Sequence, residues 1–386
     1  MGLRCAIVPP TPVPYREPLF RALSERPELE LRVIYQSAGQ PSWDVPADWF
    51  PTEHPYPAVH LRSWQRRRSG RTPMLWPRGL ERALRDFDPV CVVVSEYGPA
   101  SLRALAWCRR HRRAYVIFTE CTPEIDAMLP GWQLALHRRL ARAADRVIAT
   151  SSAARNRLVA FGVPEERITV ALQAADVERF RAAVHDPAGR PARVLSAGRL
   201  VPDKNFARLI EAVAGLGGAA ELEIVGTGFL QDELERSARE SEVPVRLRGH
   251  VSPDEMPGLY AAADIYASVA TYEPFGVAIR EAAAAGLPIV CSRTAGAAGD
   301  VAVEGRNALL VDPESVEEIA GALGRLSAEP ELRRRLGSES QAIDRETDGR
   351  ELEAFLEALS AATRRYAPSS AGSTSVASRA TEASGR

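Results

Sequence analysis

The sequence lacks the features that mark membrane, secreted and nucleic-acid-binding proteins. No apolar run approaches the roughly 20 residues that a bilayer-spanning helix requires. Residues 1–10 form a short strand broken by prolines, which does not fit a secretory signal. The 49 basic and 50 acidic residues nearly cancel, with a formal net charge of −1. This balance gives no support for a partner that is a nucleic acid. We expect a soluble, cytoplasmic protein.

Cysteine is scarce and follows no ligand pattern. The chain has five cysteines, an odd number, and none shows the CxxC or His/Cys spacing of a structural zinc site. The sequence also has no convincing loop with an Asp-x-Asp pair of acids, the pattern that would indicate a bound metal ion. We therefore expect free thiols in a reducing compartment, and a protein that needs neither a metal ion nor a cofactor.

Short apolar strands alternate with helical stretches along the 386-residue chain. The first such unit is predicted as strand Leu3–Val8, helix Glu17–Ser24 and strand Leu29–Tyr35. This alternation predicts an α/β fold with parallel, doubly wound sheets, in which ligands bind beyond the carboxyl ends of the strands. The length favours two domains over one core. Further strands are predicted at 90–95, 115–119, 146–150, 168–172, 193–197, 222–225, 245–248, 265–268 and 289–291.

A change in composition divides the chain. Residues 176–192 contain Pro187 and Gly189 and are typical of a domain linker. We expect a first lobe at 1–185 and a second lobe at 190–348. An amphipathic final helix at 349–366 is long enough to cross back to the first lobe. The tail at 367–386 is rich in Ser, Ala, Gly and Thr, which predicts disorder.

Two features of the first lobe have open interpretations. Residues 40–76 are predicted to be irregular, with Arg66-Arg67-Arg68 near Trp64. A solvated loop is favoured, and the alternatives are an acceptor-binding loop or a basic aromatic patch at 62–76 in weak peripheral contact with anionic lipid. Arg16, at the end of the first loop, is either an acceptor contact or a surface arginine at a helix start.

The stretch 272–290 is the most informative part of the sequence. A loop containing Glu273 leads through Gly276 into an alanine-rich helix predicted at 277–285, which Gly286 and Pro288 end. Glu273 and Glu281 are about 12 Å apart if both follow the helix axis. They are then too far apart to share one bond as an acid/base pair. They suit the two ends of an extended ligand with a negative centre, since a helix N-terminus attracts anions.

Three motifs occur in order across the second half of the chain. Gly-Arg-Leu-Val-Pro-Asp-Lys stands at 198–204, Gly-Thr-Gly at 226–228, and Glu-Pro-Phe-Gly-Val-Ala-Ile-Arg-Glu at 273–281. Together they resemble the signature of the family 4 retaining glycosyltransferases. The resemblance covers the second half well and the first half loosely. It implies the GT-B arrangement, with two Rossmann-like lobes facing a central cleft, an acceptor-side first lobe and a donor-binding second lobe.

The resemblance also implies an activity and a set of residues. Such an enzyme moves a sugar from a nucleotide-diphosphate sugar to an acceptor hydroxyl or amine with retention of configuration, and it needs no metal. The leaving diphosphate would be stabilised by fixed cations. The residues expected to act are Arg199 and Lys204 on the diphosphate, Glu273 on the transferred sugar, Glu281 on the ribose, and the nearby backbone N–H groups of Phe275, Gly276 and Val277.

The first lobe supplies one further candidate and one departure from the family. Glu120 takes the place of a polar residue, commonly histidine, near the reacting sugar. It could hold an acceptor hydroxyl and take its proton, or it is a helix-capping or surface glutamate. Relatives carry a glycine-rich loop at 11–16, where this sequence has Pro-Thr-Pro-Val-Pro-Tyr up to Arg16.

Other functions remain compatible with these residues. A sugar-nucleotide epimerase or hydrolase on the same fold would use Glu96 together with Glu120. A non-catalytic sugar-nucleotide binder is a third hypothesis. The composition suggests a bacterial source, so cell-envelope glycans and small metabolites are both candidate acceptors. The sequence does not specify the base, the sugar, the acceptor or the oligomeric state.

Overall fold

The computed structural model describes residues 2–39, 49–68, 71–181, 191–241 and 243–366. The predicted tail at 367–386 lies outside the described residues, as do 40–48 of the predicted loop and 182–190 of the predicted linker. Within the described part, the chain forms two parallel sheets flanked by helices and one antiparallel hairpin. The α/β fold class predicted from the sequence is confirmed.

The first lobe is built on a seven-stranded parallel sheet in the order β3-β2-β1-β6-β7-β8-β9. A two-stranded hairpin, β4 and β5, is attached to it. The strands are β1 (Leu3–Val8), β2 (Leu29–Tyr35), β3 (Ala58–His60), β4 (Arg62–Arg68), β5 (Arg71–Arg78), β6 (Cys91–Ser95), β7 (Ala114–Thr119), β8 (Arg146–Ala149) and β9 (Ile168–Val170). The helices are α1 (Glu17–Ser24), α2 (Leu80–Phe87), α3 (Pro99–His111), α4 (Gly131–Ala143) and α5 (Ser152–Ala160), with short 3-10 turns at Pro14–Arg16, Pro123–Met128 and Glu165–Arg167.

The second lobe is built on a six-stranded parallel sheet in the order β12-β11-β10-β13-β14-β15. Its strands are β10 (Ala192–Ala197), β11 (Ala220–Val225), β12 (Val245–Gly249), β13 (Ile265–Ser268), β14 (Ile289–Ser292) and β15 (Ala308–Val311). Its helices are α6 (Glu178–Arg181), α7 (Phe206–Ala214), α8 (Gln231–Glu240), α9 (Met256–Ala262), α10 (Val277–Ala284), α11 (Val316–Ala328) and α12 (Pro330–Thr347), with a 3-10 turn at Pro202–Lys204. The chain then continues into α13 (Arg350–Thr363) and a last 3-10 turn, Arg364–Tyr366.

Each sheet is covered on both faces, as its apolar strands require. Successive side chains of a strand point to opposite faces. In β1, Ala6 and Val8 therefore pack into one core of the first lobe, whereas Cys5 and Ile7 pack into the other. The two faces of the second sheet carry two more cores in the same way. Because both faces are buried, the functional side chains lie at the edges of the sheets.

Helix α13 follows the second lobe in sequence but packs on the first. It contacts β7, β8 and β9. Phe355 is fully buried, and its ring meets that of Phe118 edge-on, with the ring centres 5.3 Å apart. This helix is therefore part of the core on one face of the first sheet.

The predicted strands and helices agree with the structure at most positions, and the main exception is in the first lobe. The irregular interpretation of 40–76 agrees with the structure at 49–57 and is wrong for most of the described residues after 57. They include the edge strand β3 and most of the hairpin β4–β5. Arginine and tryptophan alternate with small or polar residues there, so the sequence does not resemble an apolar strand. The hairpin is stabilised by the cross-strand pair Trp64–Trp76. Strand β15 was also not predicted, and part of the expected linker forms α6.

The packing of α13 gives a prediction for stability. Phe355→Ala should lower the free energy of unfolding of the first lobe by about 3–5 kcal/mol, since it leaves a cavity in a closed core. Hydrogen–deuterium exchange of β7 and β8 in urea measures this loss. Glu357→Ala, at an exposed position of the same helix, is the control and should change little. Faster exchange confined to the second sheet would contradict the assignment of α13 to the first lobe.

Candidate active site

Two backbone hydrogen bonds and one close approach at a glycine fix the turn that carries Arg199. The turn follows β10, and its backbone bonds to the turn after β11 through Gly198 N–H to Val225 O at 2.9 Å and Leu200 N–H to Thr227 O at 2.8 Å. A Cβ added to Gly226, whose φ is +142°, would lie 1.8 Å from the carbonyl oxygen of Gly198. Only glycine allows this approach, so the Gly-Thr-Gly motif acts by positioning the Arg199 turn.

The loop that carries Glu273 is held from two sides. Thr271 N–H donates to Asp203 O at 2.9 Å, which ties the loop to the turn containing Lys204. On the other side, Gly296 N–H donates to Glu273 O at 2.9 Å. A Cβ on Gly296 would come within 1.9 Å of the Pro274 carbonyl oxygen. The backbone around Glu273 is thus fixed independently of any ligand.

These two fixed loops bring Lys204 and Glu273 together. The Lys204 ammonium donates a hydrogen bond to Oε2 of Glu273. The side chains are 19% and 13% exposed, respectively, so the pair is largely screened from water. Lys204 is the only lysine in the sequence, and the other basic side chains apart from histidine are arginines.

The first lobe places Glu120 opposite this ion pair. Glu120 follows β7, and its carboxylate interacts electrostatically with both Lys204 and Glu273 of the second lobe. Burial raises the pKa of Glu120 to about 7, with Arg16 opposing the rise and Glu96 adding to it. At neutral pH this carboxyl can therefore both accept and release a proton.

Arg16 is a buried partner of Glu120. Its Nη2 lies 3.5 Å from Oε2 of Glu120, and its guanidinium lies over the ring of Phe118. Only 6% of the residue is exposed. The interpretation of Arg16 as a surface arginine is therefore wrong, because the aromatic ring at the end of β7 and the carboxylate beside it draw the guanidinium inward.

Glu96 is used to hold the loop that carries Glu120. One carboxylate oxygen accepts from Glu120 N–H at 2.7 Å, and the other accepts from the Thr119 hydroxyl at 2.9 Å and the Cys121 thiol at 3.0 Å. The backbone of Glu96 has a φ of +63°, an uncommon value for this residue type. An epimerase or hydrolase that used Glu96 at the sugar ring would have to release these contacts.

Tyr15 lies between the lobes and was not among the residues predicted to act. Burial raises the pKa of its phenol to about 12, which keeps it neutral. Glu120 and Glu273 add to the rise, whereas Arg16 and Arg199 oppose it, so the phenol is near all four groups. The proline-rich loop that replaces the family's glycine-rich loop therefore ends in the cleft.

Glu281 lies further along α10, away from Lys204. The Tyr260 hydroxyl donates to its Oε2 at 2.9 Å. Burial raises the pKa of Glu281 to about 7, and the Tyr260 hydrogen bond and Arg179 oppose that rise. The buried phenol of Tyr266 lies near both Glu273 and Glu281, and the two carboxylates add to the burial that raises its pKa. The two acids thus flank one buried ring.

The start of α10 offers backbone groups rather than side chains. The ring of Phe275 is 2% exposed and belongs to the core of the second lobe. Gly276 has a φ of +100° and precedes the helix, which begins at Val277. Within the described residues, the N–H groups of Phe275, Gly276 and Val277 donate no hydrogen bond. They are therefore available to an anion at this helix N-terminus.

The predicted site residues thus form two connected groups. Arg199, Lys204, Glu273 and Glu120 meet where the lobes face each other, with Arg199 partly buried beside Asp203 and Glu273 and its pKa lowered by that burial. Glu281 and Tyr260 form the second group. Tyr260 could not be assigned from sequence because the hydrogen bond joins residues 21 positions apart.

The described residues show no group of three or more His, Cys, Asp or Glu side chains that could hold a metal ion. All five cysteines are free thiols. In the part of the chain that the structure describes, every helix is too short or too polar to cross a bilayer.

Two family profiles match the chain in succession. The profile for Glycosyltransferase Family 4 matches residues 19–179, and that for Glycosyl transferases group 1 matches residues 178–342. The two matches meet at the connection between the lobes and together extend from residue 19 to residue 342.

Individual relatives point the same way. A lipopolysaccharide core biosynthesis glycosyltransferase, LpsE, of Rhizobium meliloti is 36% identical over 156 residues, which are 40% of this chain and 45% of that protein. A GDP-mannose-dependent alpha-mannosyltransferase of Mycobacterium tuberculosis is 32% identical over 245 residues, 60% of this chain and 62% of that one. The chain spans about half the length of the curated relatives it matches.

The fold has close counterparts among solved structures. The crystal structure of Anabaena Alr3699/HepE in complex with UDP and glucose aligns with a TM-score of 0.74 at 19% identity, covering 93% of this chain and 100% of that one. Taken with the profile matches, this alignment leads to one assignment: the chain belongs to the family 4 glycosyltransferases and has their GT-B fold.

Proposed function

We propose that this protein transfers a sugar from a nucleotide-diphosphate sugar to an acceptor hydroxyl or amine, retaining the anomeric configuration and using no metal ion. The observation that carries the proposal is the Lys204–Glu273 ion pair, with Arg199 on its own lobe and Glu120 facing it from the other. Two similar proteins fit this proposal, since a relative is named as GDP-mannose-dependent and a structural neighbour was solved with UDP and glucose.

In this proposal the second lobe, 190–348, binds the donor. Arg199, Lys204 and the backbone N–H groups at the start of α10 take the diphosphate. Glu273 accepts hydrogen bonds from hydroxyls of the transferred sugar. Glu281, held by Tyr260, accepts the two ribose hydroxyls, since a carboxylate can accept two vicinal O–H groups. The first lobe, 1–185, then supplies the acceptor side.

The chemical step needs little from the protein beyond charge placement. The acceptor oxygen attacks the anomeric carbon as the bond from that carbon to the phosphate oxygen breaks. Negative charge develops on the departing diphosphate, where fixed cations in a closed cleft stabilise it. Glu120 accepts a hydrogen bond from the acceptor hydroxyl. The departing phosphate oxygen, on the same face of the sugar, then takes the proton of that hydroxyl.

The partners in this proposal are a nucleotide sugar and either an envelope glycan or a small-molecule acceptor. The free state of all five cysteines fits the cytoplasmic, bacterial setting expected from the sequence.

The proposal is tested by supplying UDP- and GDP-linked sugars with and without candidate acceptors. We expect nucleoside diphosphate to be released only when an acceptor is present, in EDTA as well as without it. Proton NMR of the product should show the anomeric configuration of the donor. Release of free sugar, or of an epimer, without acceptor would instead indicate a hydrolase or an epimerase.

The role of Lys204 predicts a large loss of turnover on substitution. Lys204→Met should lower kcat by about 10²–10³-fold, the range for removing one preorganised group that stabilises developing negative charge. Lys204→Arg should fail as well, because a planar guanidinium does not place its charge where the compact lysine ammonium does. Steady-state kinetics measure both.

The control for Lys204 is Arg208→Met. That substitution removes a cation four residues away, one that pairs with Glu314, and should leave kcat within a few-fold of the wild type. Wild-type turnover in Lys204→Met would remove the role given to this side chain.

Glu281 predicts how donor affinity varies with pH. Its pKa is raised to about 7, so the carboxylate that accepts ribose hydroxyls is lost as pH falls through that value. Nucleoside diphosphate should therefore bind more tightly above about pH 7. Tyr260→Phe removes a hydrogen bond that lowers this pKa and should move the midpoint to higher pH.

Calorimetric titration across pH in the wild type and in Glu281→Gln isolates this effect. The ligand phosphate titrates in both proteins, so the difference between the two pH profiles reports the carboxylate. Identical profiles would contradict the assignment of Glu281 to the ribose.

A further inference from the structure

The hairpin β4–β5 has one face turned toward the body of the first lobe. The Ser63 hydroxyl donates to the Gln36 carbonyl at 2.6 Å, and the Gln65 amide donates to the Ser37 hydroxyl at 3.3 Å. On the paired strand, Leu75 is buried. Since neighbouring side chains alternate across a strand, the residues between these lie on the opposite face.

That opposite face is basic and aromatic. Register pairs Arg62 with Arg78 and Trp64 with Trp76. The two arginines are exposed, and Trp64 is 55% exposed. The indole centres lie 5.0 Å apart, so the two rings form one apolar surface with an arginine pair at its end. We call these four side chains the hairpin face.

The positive charge of this segment is not balanced locally. Residues 62–78 contain six arginines and no acid, in a chain whose formal net charge is −1. Within the described residues, neither Arg62 nor Arg78 forms an ion pair. Surface arginines elsewhere in the lobe commonly do, as Arg103 does with Glu81 and Arg113 with Asp88. The hairpin face is therefore charged and apolar, and its two arginines have no acidic partner among the described residues.

The hairpin lies at the edge of the sheet that faces the cleft. Gln36 and Ser37, which anchor it, directly follow the carboxyl end of β2. Two other exposed apolar side chains are at the same edge, in the first turns of helices that follow β6 and β7. They are Leu102, 44% exposed, and Trp132, 60% exposed. Apolar surface is thus concentrated where an acceptor would enter.

We propose that the hairpin face rests on an anionic lipid surface and turns the cleft toward it. Arginines bind lipid phosphates, and each basic side chain near such a surface adds to the attraction. Tryptophan is suited to the boundary between headgroups and acyl chains, because its ring is apolar and its N–H is polar. The proposal does not depend on the proposed sugar transfer, because binding to lipid requires no donor.

The test is co-sedimentation of the full chain with vesicles. Vesicles of phosphatidylcholine mixed with phosphatidylglycerol should bind the protein, and vesicles of phosphatidylcholine alone should not. Added salt should weaken the binding through screening. Arg62→Glu combined with Arg78→Glu should lower the affinity at least about 25-fold, at about fivefold for each arginine removed.

Two further variants separate this contact from charge and folding effects. Arg236→Glu combined with Arg246→Glu makes the same charge change at exposed positions of the second lobe and should bind like the wild type. Trp64→Ser should weaken binding without any change of charge. An unchanged circular dichroism spectrum and thermal unfolding midpoint show that each variant is folded.

Three results would overturn the proposal. The first is a wild-type protein that does not sediment with anionic vesicles. The second is an equal loss of binding in both double variants. In a competition arm, a short single-stranded RNA would bind the hairpin face more tightly than the vesicles do, which would assign the face to nucleic acid.

Discussion

The site depends on one ion pair, between Lys204 and Glu273, whose geometry is set by backbone contacts rather than by the charges themselves. A backbone hydrogen bond from Thr271 to Asp203 holds the two loops together, and glycines at 226 and 296 admit the close contacts that fix each loop. A largely buried ion pair contributes little net stability, because desolvation offsets the attraction. Its value here is positional, since both charges are already in place before a ligand arrives.

The choice of lysine at this position is informative. The chain uses arginine for its other strongly basic side chains, so lysine at 204 is an exception within its own composition. A compact ammonium on a flexible side chain can release a carboxylate and bind a phosphate oxygen with little rearrangement. A guanidinium instead favours a partner that it can bind in a bidentate way. Arg199, on the neighbouring turn, can provide that second type of contact.

Helix α10 connects the site to the rest of the molecule through two neighbouring residues. Glu281 faces Tyr260 within the second lobe. Arg280 is buried, with 1% of its surface exposed. It donates one hydrogen bond to the Gln173 carbonyl at 2.6 Å and another to the Glu351 carboxylate, in the first turn of α13, at 3.1 Å. Helix α10 therefore carries both a proposed donor contact and a contact that joins the lobes.

The sequence predicted what local patterns encode. Short, mainly apolar runs predicted the bounds of Leu3–Val8 and Ile265–Ser268, and the spaced acids at 273 and 281 identified the loop and helix of the site. Contacts between distant segments were not predictable in this way. The burial of Arg16 depends on Phe118 and Glu120, which are about a hundred positions away, and the hairpin depends on pairing between residues that look like a solvated loop.

The central claim, that the diphosphate of the donor binds at Lys204, has a direct test. Because Lys204 is the only lysine, an amine-directed acetylating reagent has one side-chain target, and mass spectrometry can follow its modification against the terminal amine as an internal reference. Saturating UDP or GDP should slow acetylation of Lys204 selectively, with no effect on the terminal amine. If a nucleoside diphosphate that binds the protein leaves Lys204 acetylation unchanged, the diphosphate binds elsewhere and the account of the site is wrong.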